Sequence, residues 1–398
     1  MNHRCIPLLA LVYVLSSCRN STDEPVVNVL EDGDQSSILE TFQGRIDLND
    51  LPNYENQEIP DYIEDDNTRT NEITDGGAIL GRILFYDVNL SSNNTISCAS
   101  CHQQAFAFGD PAVASVGVNG TTGRHSMRLI NSRFGDEENF FWDERASSLE
   151  EQSTMPIQDH IEMGFSGTQG DGTIDDLCDK LEAIEYYNEL FTFVYGDAEI
   201  TEARIQESLA QFIRSIQSFD SKYDIGRAQV GEDNDNFPNF TAQENLGKAL
   251  FMRGSNLNNN GTRTGAGIGC NTCHRAPEFD IDDNSRNNGI ISALNNPNEL
   301  DNEVTRSPTL RDLFNTDGIA NGPFMHTGFS TDFEDVLDHY GNIPESAVGN
   351  GLDRRLSENG NPQELNMTQE EKEAVIAFIM TLSGTDVYTN EKWSDPFR

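Results

Sequence analysis

The pentapeptide Cys98-Ala99-Ser100-Cys101-His102 returns in the second half of the chain as Cys270-Asn271-Thr272-Cys273-His274. Two thiols followed at once by a histidine suit covalent haem. Each thiol can add to a haem vinyl group, and the adjacent imidazole is then placed to ligate the iron. Seven cysteines and seven histidines in 398 residues are too few for the pattern to arise twice by chance. Zinc is the rival, since Cys-x-x-Cys is half a zinc site and the two pairs could together build an all-cysteine cage. That alternative leaves both histidines without a role. The motifs therefore predict two c-type haems attached through Cys98, Cys101, Cys270 and Cys273, with His102 and His274 each filling one axial position.

The N-terminus supplies a matching compartment. His3 and Arg4 precede an apolar run from Ile6 to Leu15 that is too short for a permanent membrane helix. Leu15-Ser16-Ser17-Cys18 has the form of a bacterial lipoprotein cleavage box, with Cys18 as the lipidated new terminus; an ordinary secretory signal is the alternative. An exported, periplasmic or cell-envelope lipoprotein is expected, held by lipid and not by a spanning helix. Covalent haem attachment is itself extracytoplasmic. Of the remaining cysteines, Cys178 needs only to pack.

Charge narrows the partners. Against 67 acidic residues stand 26 Lys and Arg, a formal net charge of −41. This opposes nucleic acid and anionic membrane surfaces and favours a basic or weakly charged partner; solubility and avoidance of self-association are the alternative reading.

Residues 19–70 lack sustained periodicity and read as a flexible acidic tether. Thr74 or Asp75 should open a helix through Ile79, Leu80, Ile83 and Leu84. Ser148 and Glu151 have capping-box spacing, and one helical stripe runs through Leu177, Leu181, Ile184, Phe191 and Val194. A second stripe joins Ile205, Leu209, Phe212, Ile216 and Phe219. Residues 224–240 read as a linker. Thr241 and Glu244 cap a helix to about Met252, an Asn/Gly-rich loop leads to the second motif, and Thr331 with Glu334 and Thr368 with Glu371 open two further helices. The expected fold is mainly α, with two cytochrome c-like domains, 71–223 and 241–398, each binding one covalent haem.

The residue on the far side of each iron decides between electron transfer and chemistry. Candidates are His125, His160, His326, His339, Met127, Met155, Met163, Met325 and Tyr340. On the helix from Asp332, Tyr340 shares the apolar face of Phe333, Val336 and Leu337.

From about Thr74 onward the chain resembles the bacterial di-haem cytochrome c peroxidases and their tryptophan-oxidising relative from methylamine utilisation. The resemblance runs through Leu84-Phe85-Tyr86-Asp87, Phe141-Trp142-Asp143-Glu144-Arg145-Ala146, Glu162-Met163-Gly164, Ser307-Pro308-Thr309-Leu310-Arg311, Pro323-Phe324-Met325-His326-Thr327-Gly328 and Asp338-His339-Tyr340. It implies that hydrogen peroxide is split at the N-terminal haem, beneath Glu162, Gln152 and Pro156. Trp142 then relays electrons between the haems. An external donor, such as a monohaem cytochrome or a cupredoxin, feeds the C-terminal haem, and a homodimer is possible within the family. Three positions depart from the family pattern. Val118 replaces a histidine that caps the peroxidatic iron, so that side should be open. Tyr340 stands where many members carry a methionine ligand, with Met325 as fallback. His125 aligns with an asparagine of the family calcium site, and imidazole is a poor calcium ligand, so this departure works against the calcium ion that the resemblance otherwise implies. Oxidation of a partner's aromatic side chains and simple two-haem electron carriage are the alternative activities.

Overall fold

The computed structural model describes residues 35–135, 139–281 and 285–398. The expected signal peptide 1–18, with Cys18, and the start of the tether lie outside the described residues. From residue 35 onward the expected tether is packed structure. Helix α1 (Ser36–Phe42) buries Ile38 and Phe42, and Ile46, Leu48 and Tyr54 follow them into the core. Polar residues of this strap bond across the molecule: Asp66 accepts from Arg133, Asn67 donates to the Ser132 carbonyl, and Tyr62 donates to Asp224. An extended strap anchored at scattered points has neither the helical nor the strand period, which is why it reads as flexible.

Helix α2 (Asp75–Tyr86) starts where expected, the Thr74 hydroxyl accepting from Gly77 N at 3.0 Å. The short α3 (Cys98–Cys101) carries the first motif. Ser148 caps α4 (Leu149–Thr154). The stripe expected from Leu177 to Val194 is broken into α5 (Ile174–Glu182) and α6 (Glu185–Tyr195), because Ile184 takes an extended backbone between them. Helix α7 (Glu202–Ser215) completes the first half.

The expected linker is also packed. Helix α8 (Lys222–Arg227) crosses its start, and Phe237 and Phe240 enter the second core. Arg311, fully buried, pairs with Asp224 through two 3.0 Å bonds. The glycine, proline and asparagines that suggested a linker are turn residues on a buried path. Helix α9 (Ala242–Met252) has the Thr241–Glu244 capping box. The following loop is partly a hairpin, β1 (Ser255–Leu257) with β2 (Arg263–Ala266). Asp332 and not Thr331 caps α10 (Phe333–Gly341), Thr368 caps α11 (Gln369–Met380), and α12 (Asp386–Thr389) ends the series. The described residues are mainly helical, with four two-stranded sheets. Two hydrophobic cores divide the chain near residue 220, but the C-terminal tail returns Val387 and Trp393 to the first core, so the first unit draws on residues of the second half.

Each core is built on the same crossing. Gly81 of α2 meets the backbone of Ser208 on α7 so closely that a Cβ would lie 1.9 Å from the Ser208 oxygen. Gly247 of α9 meets Ala374 on α11 in the same way, at 1.8 Å. The segments match: Gly81-Arg82-Ile83-Leu84-Phe85 against Gly247-Lys248-Ala249-Leu250-Phe251. Phe85 and Phe251 are both fully buried, beside Phe212 and Phe378 respectively. The helix before each Cys-x-x-Cys-His motif thus lies against the helix that closes its half, and one cavity opens beside each crossing.

Candidate functional site

The first cavity, about 650 Å³, is lined by Cys98, Cys101 and His102 on one side and by Phe85, Leu209 and Ile213 on the other. It is continuous with a larger space of about 1320 Å³ through shared walls at His102, Gln152, Pro156 and Glu162. The second cavity, about 1350 Å³ with its mouth, is lined by Cys270, Cys273 and His274 and by the equivalent apolar side chains Phe251, Val375 and Ile379. These spaces include open solvent at their mouths; what suits a large cofactor is the lining, a Cys-x-x-Cys-His motif on one side and apolar side chains on the other.

The donor sets fit haem. All four motif cysteines are free thiols. Burial pushes Cys98 and Cys270 up to about 12 and Cys101 up to about 11, so these sulfurs sit where a neutral thioether is at home and a thiolate is not. No group of three or more His, Cys, Asp or Glu able to hold a metal ion occurs among the described residues, which removes the zinc cage shared by the two cysteine pairs. His102 donates Nδ1–H to the Phe108 carbonyl at 3.2 Å, and burial keeps its ring neutral. Burial likewise lowers His274 to about 4. Neutral imidazole is the ligating form.

Across the first cavity stand Gln152, Pro156 and Glu162. Burial, reinforced by the neighbouring Asp159, raises the Glu162 carboxyl to about 7, against a smaller opposing effect of Arg145. The loop bearing Val118 is bound to the backbone of the same wall. Val118 N donates to the Glu162 carbonyl at 3.0 Å and Asn119 N to the Ile161 carbonyl at 3.1 Å. A Cβ on Gly117 would lie 2.1 Å from that Ile161 oxygen. Val118 itself lines neither cavity. Among the other candidates, His160 points to Asp171 at 2.8 Å, Met155 lines neither cavity, and Met163 is part of the first cavity's apolar wall.

Across the second cavity, Tyr340 and Met325 share one partner. The Asn288 amide donates to Met325 Sδ at 3.2 Å and to the Tyr340 hydroxyl at 3.3 Å. Burial raises the Tyr340 phenol well above its ordinary value. Both side chains therefore present a donor atom to the same part of the cavity, and Asn288, which the sequence did not single out, positions both. His339 donates to the Asn288 carbonyl at 2.9 Å and His326 lies against Ser292, so neither imidazole faces the cavity.

The larger space that continues the first cavity shares a wall with the second cavity. His125, Met127, Arg128, Trp142, Arg306 and Pro308 line both of these. Trp142 is held there by a 2.7 Å bond from Nε1 to the His125 carbonyl, by Thr305 and Arg306 N–H groups on its own carbonyl, and by His326 edge-on at 6.1 Å. His125 donates to the Ala112 carbonyl at 3.0 Å, and burial lowers its pKa to about 4. Its ring is thereby turned to a backbone carbonyl. Nearby, Arg124 bridges Asp143 and Asp301, joining the two halves.

Comparison with known proteins places this arrangement. A family model described as di-haem cytochrome c peroxidase matches residues 76–231. The methylamine utilization protein MauG of Methylorubrum extorquens is 30% identical over 324 residues, 79% of this chain and 80% of that protein. The cytochrome c551 peroxidase of Nitrosomonas europaea is 28% identical over 320 residues, covering 77% and 80%. In fold, the chain is similar to a MauG-like protein associated with microbial copper homeostasis, with a TM-score of 0.64 at 24% identity over 86% of this chain and 99% of the other. The family implies two c-type haems and oxidoreductase chemistry, and with its two motif cavities and the shared wall between them, this chain belongs to the di-haem cytochrome c peroxidase family.

Proposed function

We propose that the protein is an exported, lipid-anchored peroxidase that reduces hydrogen peroxide to water with electrons from an external donor protein. The observation that carries this is Glu162, a half-buried carboxyl raised to about 7, which lines with Gln152 both the first cavity and the larger space that continues it. Haem, when bound, supplies the iron that receives the peroxide oxygen and accepts and delivers electrons.

The chain's own residues manage protons and position. The Gln152 amide lies where it can hold peroxide by hydrogen bonding. Glu162, as carboxylate, takes a proton from one peroxide oxygen and returns it to the other, which leaves as water. A carboxyl poised near 7 can do both, whereas an ordinary glutamate is a poor acid at neutral pH. Trp142, in the wall common to both cavities, lies on the route by which electrons from the second site reach the first. Two electrons and two protons complete the reduction to two waters. The strongly acidic chain favours a basic or weakly charged donor, such as a small cytochrome or a cupredoxin. Calcium is not required by this reading.

Tyr340 favours a second reading, oxidation of aromatic side chains on a partner protein, because a phenolate ligand stabilises oxidised iron where methionine raises the potential. Electron paramagnetic resonance of the oxidised protein tests the proposal. One high-spin and one low-spin haem are expected, and two low-spin haems would overturn it in favour of an electron carrier. Turnover of peroxide with a reduced cytochrome, against none with peroxide and a protein substrate, separates the two enzymatic readings.

A further inference from the structure

Two arginines line the wall shared by the cavities, and they differ in one respect. Arg306 lies 3.6 Å from the carboxylate of Asp280. Arg128 has no carboxylate partner among the described residues: Nη2 donates to the Thr309 carbonyl at 3.0 Å, and Nε is buried without a hydrogen bond. Burial lowers Arg128 to about 10, against opposing effects of Tyr388 and Asp312, so it stays protonated at neutral pH. In a chain with 67 acidic residues, a half-buried guanidinium that lines a cavity wall with no carboxylate in contact is an anomaly. Drawn partly out of water, such a charge is costly unless an anion completes it.

We propose that Arg128 is a clamp for carboxylates entering from both cavities, and that these are the carboxylate side chains of the two haems. The inference rests on the reading that each cavity holds one haem. A guanidinium offers five N–H donors in a planar fork, enough to serve one carboxylate on each side while keeping its bond to Thr309. Arg128 then acts as a positioning residue: it sets the orientation of both cofactors relative to Trp142 in the same wall, and its positive charge favours the reduced state of both. The two sites become electrostatically coupled through one side chain.

Potentiometric titration of the purified holoprotein and of Arg128→Met tests this, with covalent haem counted by mass. Both proteins should carry two haems, and in the variant both midpoint potentials should fall, each by about 59 mV or more, a tenfold loss in the one-electron reduction equilibrium. Two haems with unchanged potentials, or a shift at one haem alone, would overturn the clamp. A wild-type protein without two haems would overturn the reading of the cavities itself. If the occupant were a free anion, added acetate at constant ionic strength would move the wild-type potentials and leave the variant's alone, which overturns the assignment to haem. Should Arg128→Met fail to mature, Arg128→Lys keeps the charge and loses the fork. It should shift the carboxylate bending bands of both haems in the resonance Raman spectrum, and unmoved bands count against the contact.

Discussion

The two cavities share a ligating pentapeptide and a glycine-mediated helix crossing, yet what faces each histidine is opposite in kind. Opposite His102 stand a titratable carboxyl, an amide and a continuous larger space. Opposite His274 stand a thioether and a phenol tied to one asparagine, in a cavity walled by Phe251, Val375 and Ile379. The repeated elements place a cofactor, and the unrepeated residues decide what it does. Neither Glu162 nor Tyr340 belongs to the repeat, so the halves could diverge in chemistry without disturbing the packing that holds them.

Exchange of Glu162 for Gln should break this difference most severely. Peroxide turnover should fall by about 10²–10⁴-fold, the range for loss of a general acid–base group, while the visible spectrum of the second haem stays unchanged. Wild-type kcat/KM should rise with pH through about 7, as Glu162 becomes the carboxylate that accepts a proton, and the variant should lose that limb. The same raised pKa has a consequence for stability. The folded protein keeps a proton that the unfolded chain has released, so stability declines as pH rises from the ordinary carboxylate range through about 7. At pH 8 the Gln variant should therefore melt above the wild type. A wild-type profile flat around pH 7 would remove Glu162 from the proton path.

The shared scaffold can be attacked one half at a time. Gly81→Ala and Gly247→Ala each place a methyl within 2 Å of a backbone oxygen on the crossing helix. Each should cost about 1–3 kcal/mol in denaturant unfolding through overpacking. Gly81→Ala should perturb the spectrum of the first haem, and Gly247→Ala that of the second. Equal perturbation of both haems by either variant would mean that the cores do not act separately.

How much of this the sequence made legible depends on whether the information was local. The caps at Thr74, Thr241 and Thr368 and the two haem motifs were readable because each is complete within a few residues. The match between Gly81-Arg82-Ile83-Leu84-Phe85 and Gly247-Lys248-Ala249-Leu250-Phe251 was equally local and went unread; aligning the two stretches upstream of the motifs reveals it. The strap over 35–70 was hidden because its anchors are isolated apolar residues with no period. Arg128 was hidden more deeply, since nothing near it in sequence shows that Thr309, Arg306 and Trp142 will share its wall.

The second cavity can be moved toward a more conventional electron-transfer site. Tyr340→Met should raise that haem's potential by at least about 59 mV, a tenfold gain in the reduction equilibrium, because thioether favours reduced iron more than phenolate does. If the potential does not move, Met325, which shares the Asn288 amide with Tyr340, is the ligand.

The smallest expected effects lie at the caps of α2 and α9, and they separate the halves once more. Thr241 belongs to a self-contained box: it exchanges bonds with Glu244, and Glu244 in turn holds Lys222. Thr74 is tied to the helix that crosses its own, since its N–H and hydroxyl both reach Gln211 Oε1 on α7 at 3.0 Å. Gln211 is buried and also bonds Asn71. Removing either hydroxyl should cost about 1 kcal/mol, the usual value of an N-cap. Thr74→Ala should exceed Thr241→Ala, because it weakens the α2–α7 crossing as well as the first turn. Thr74→Ser should restore most of the loss, and comparison of denaturation midpoints for the three variants resolves the order. Equal costs for the two alanine variants would show that the bond to Gln211 adds nothing beyond the cap.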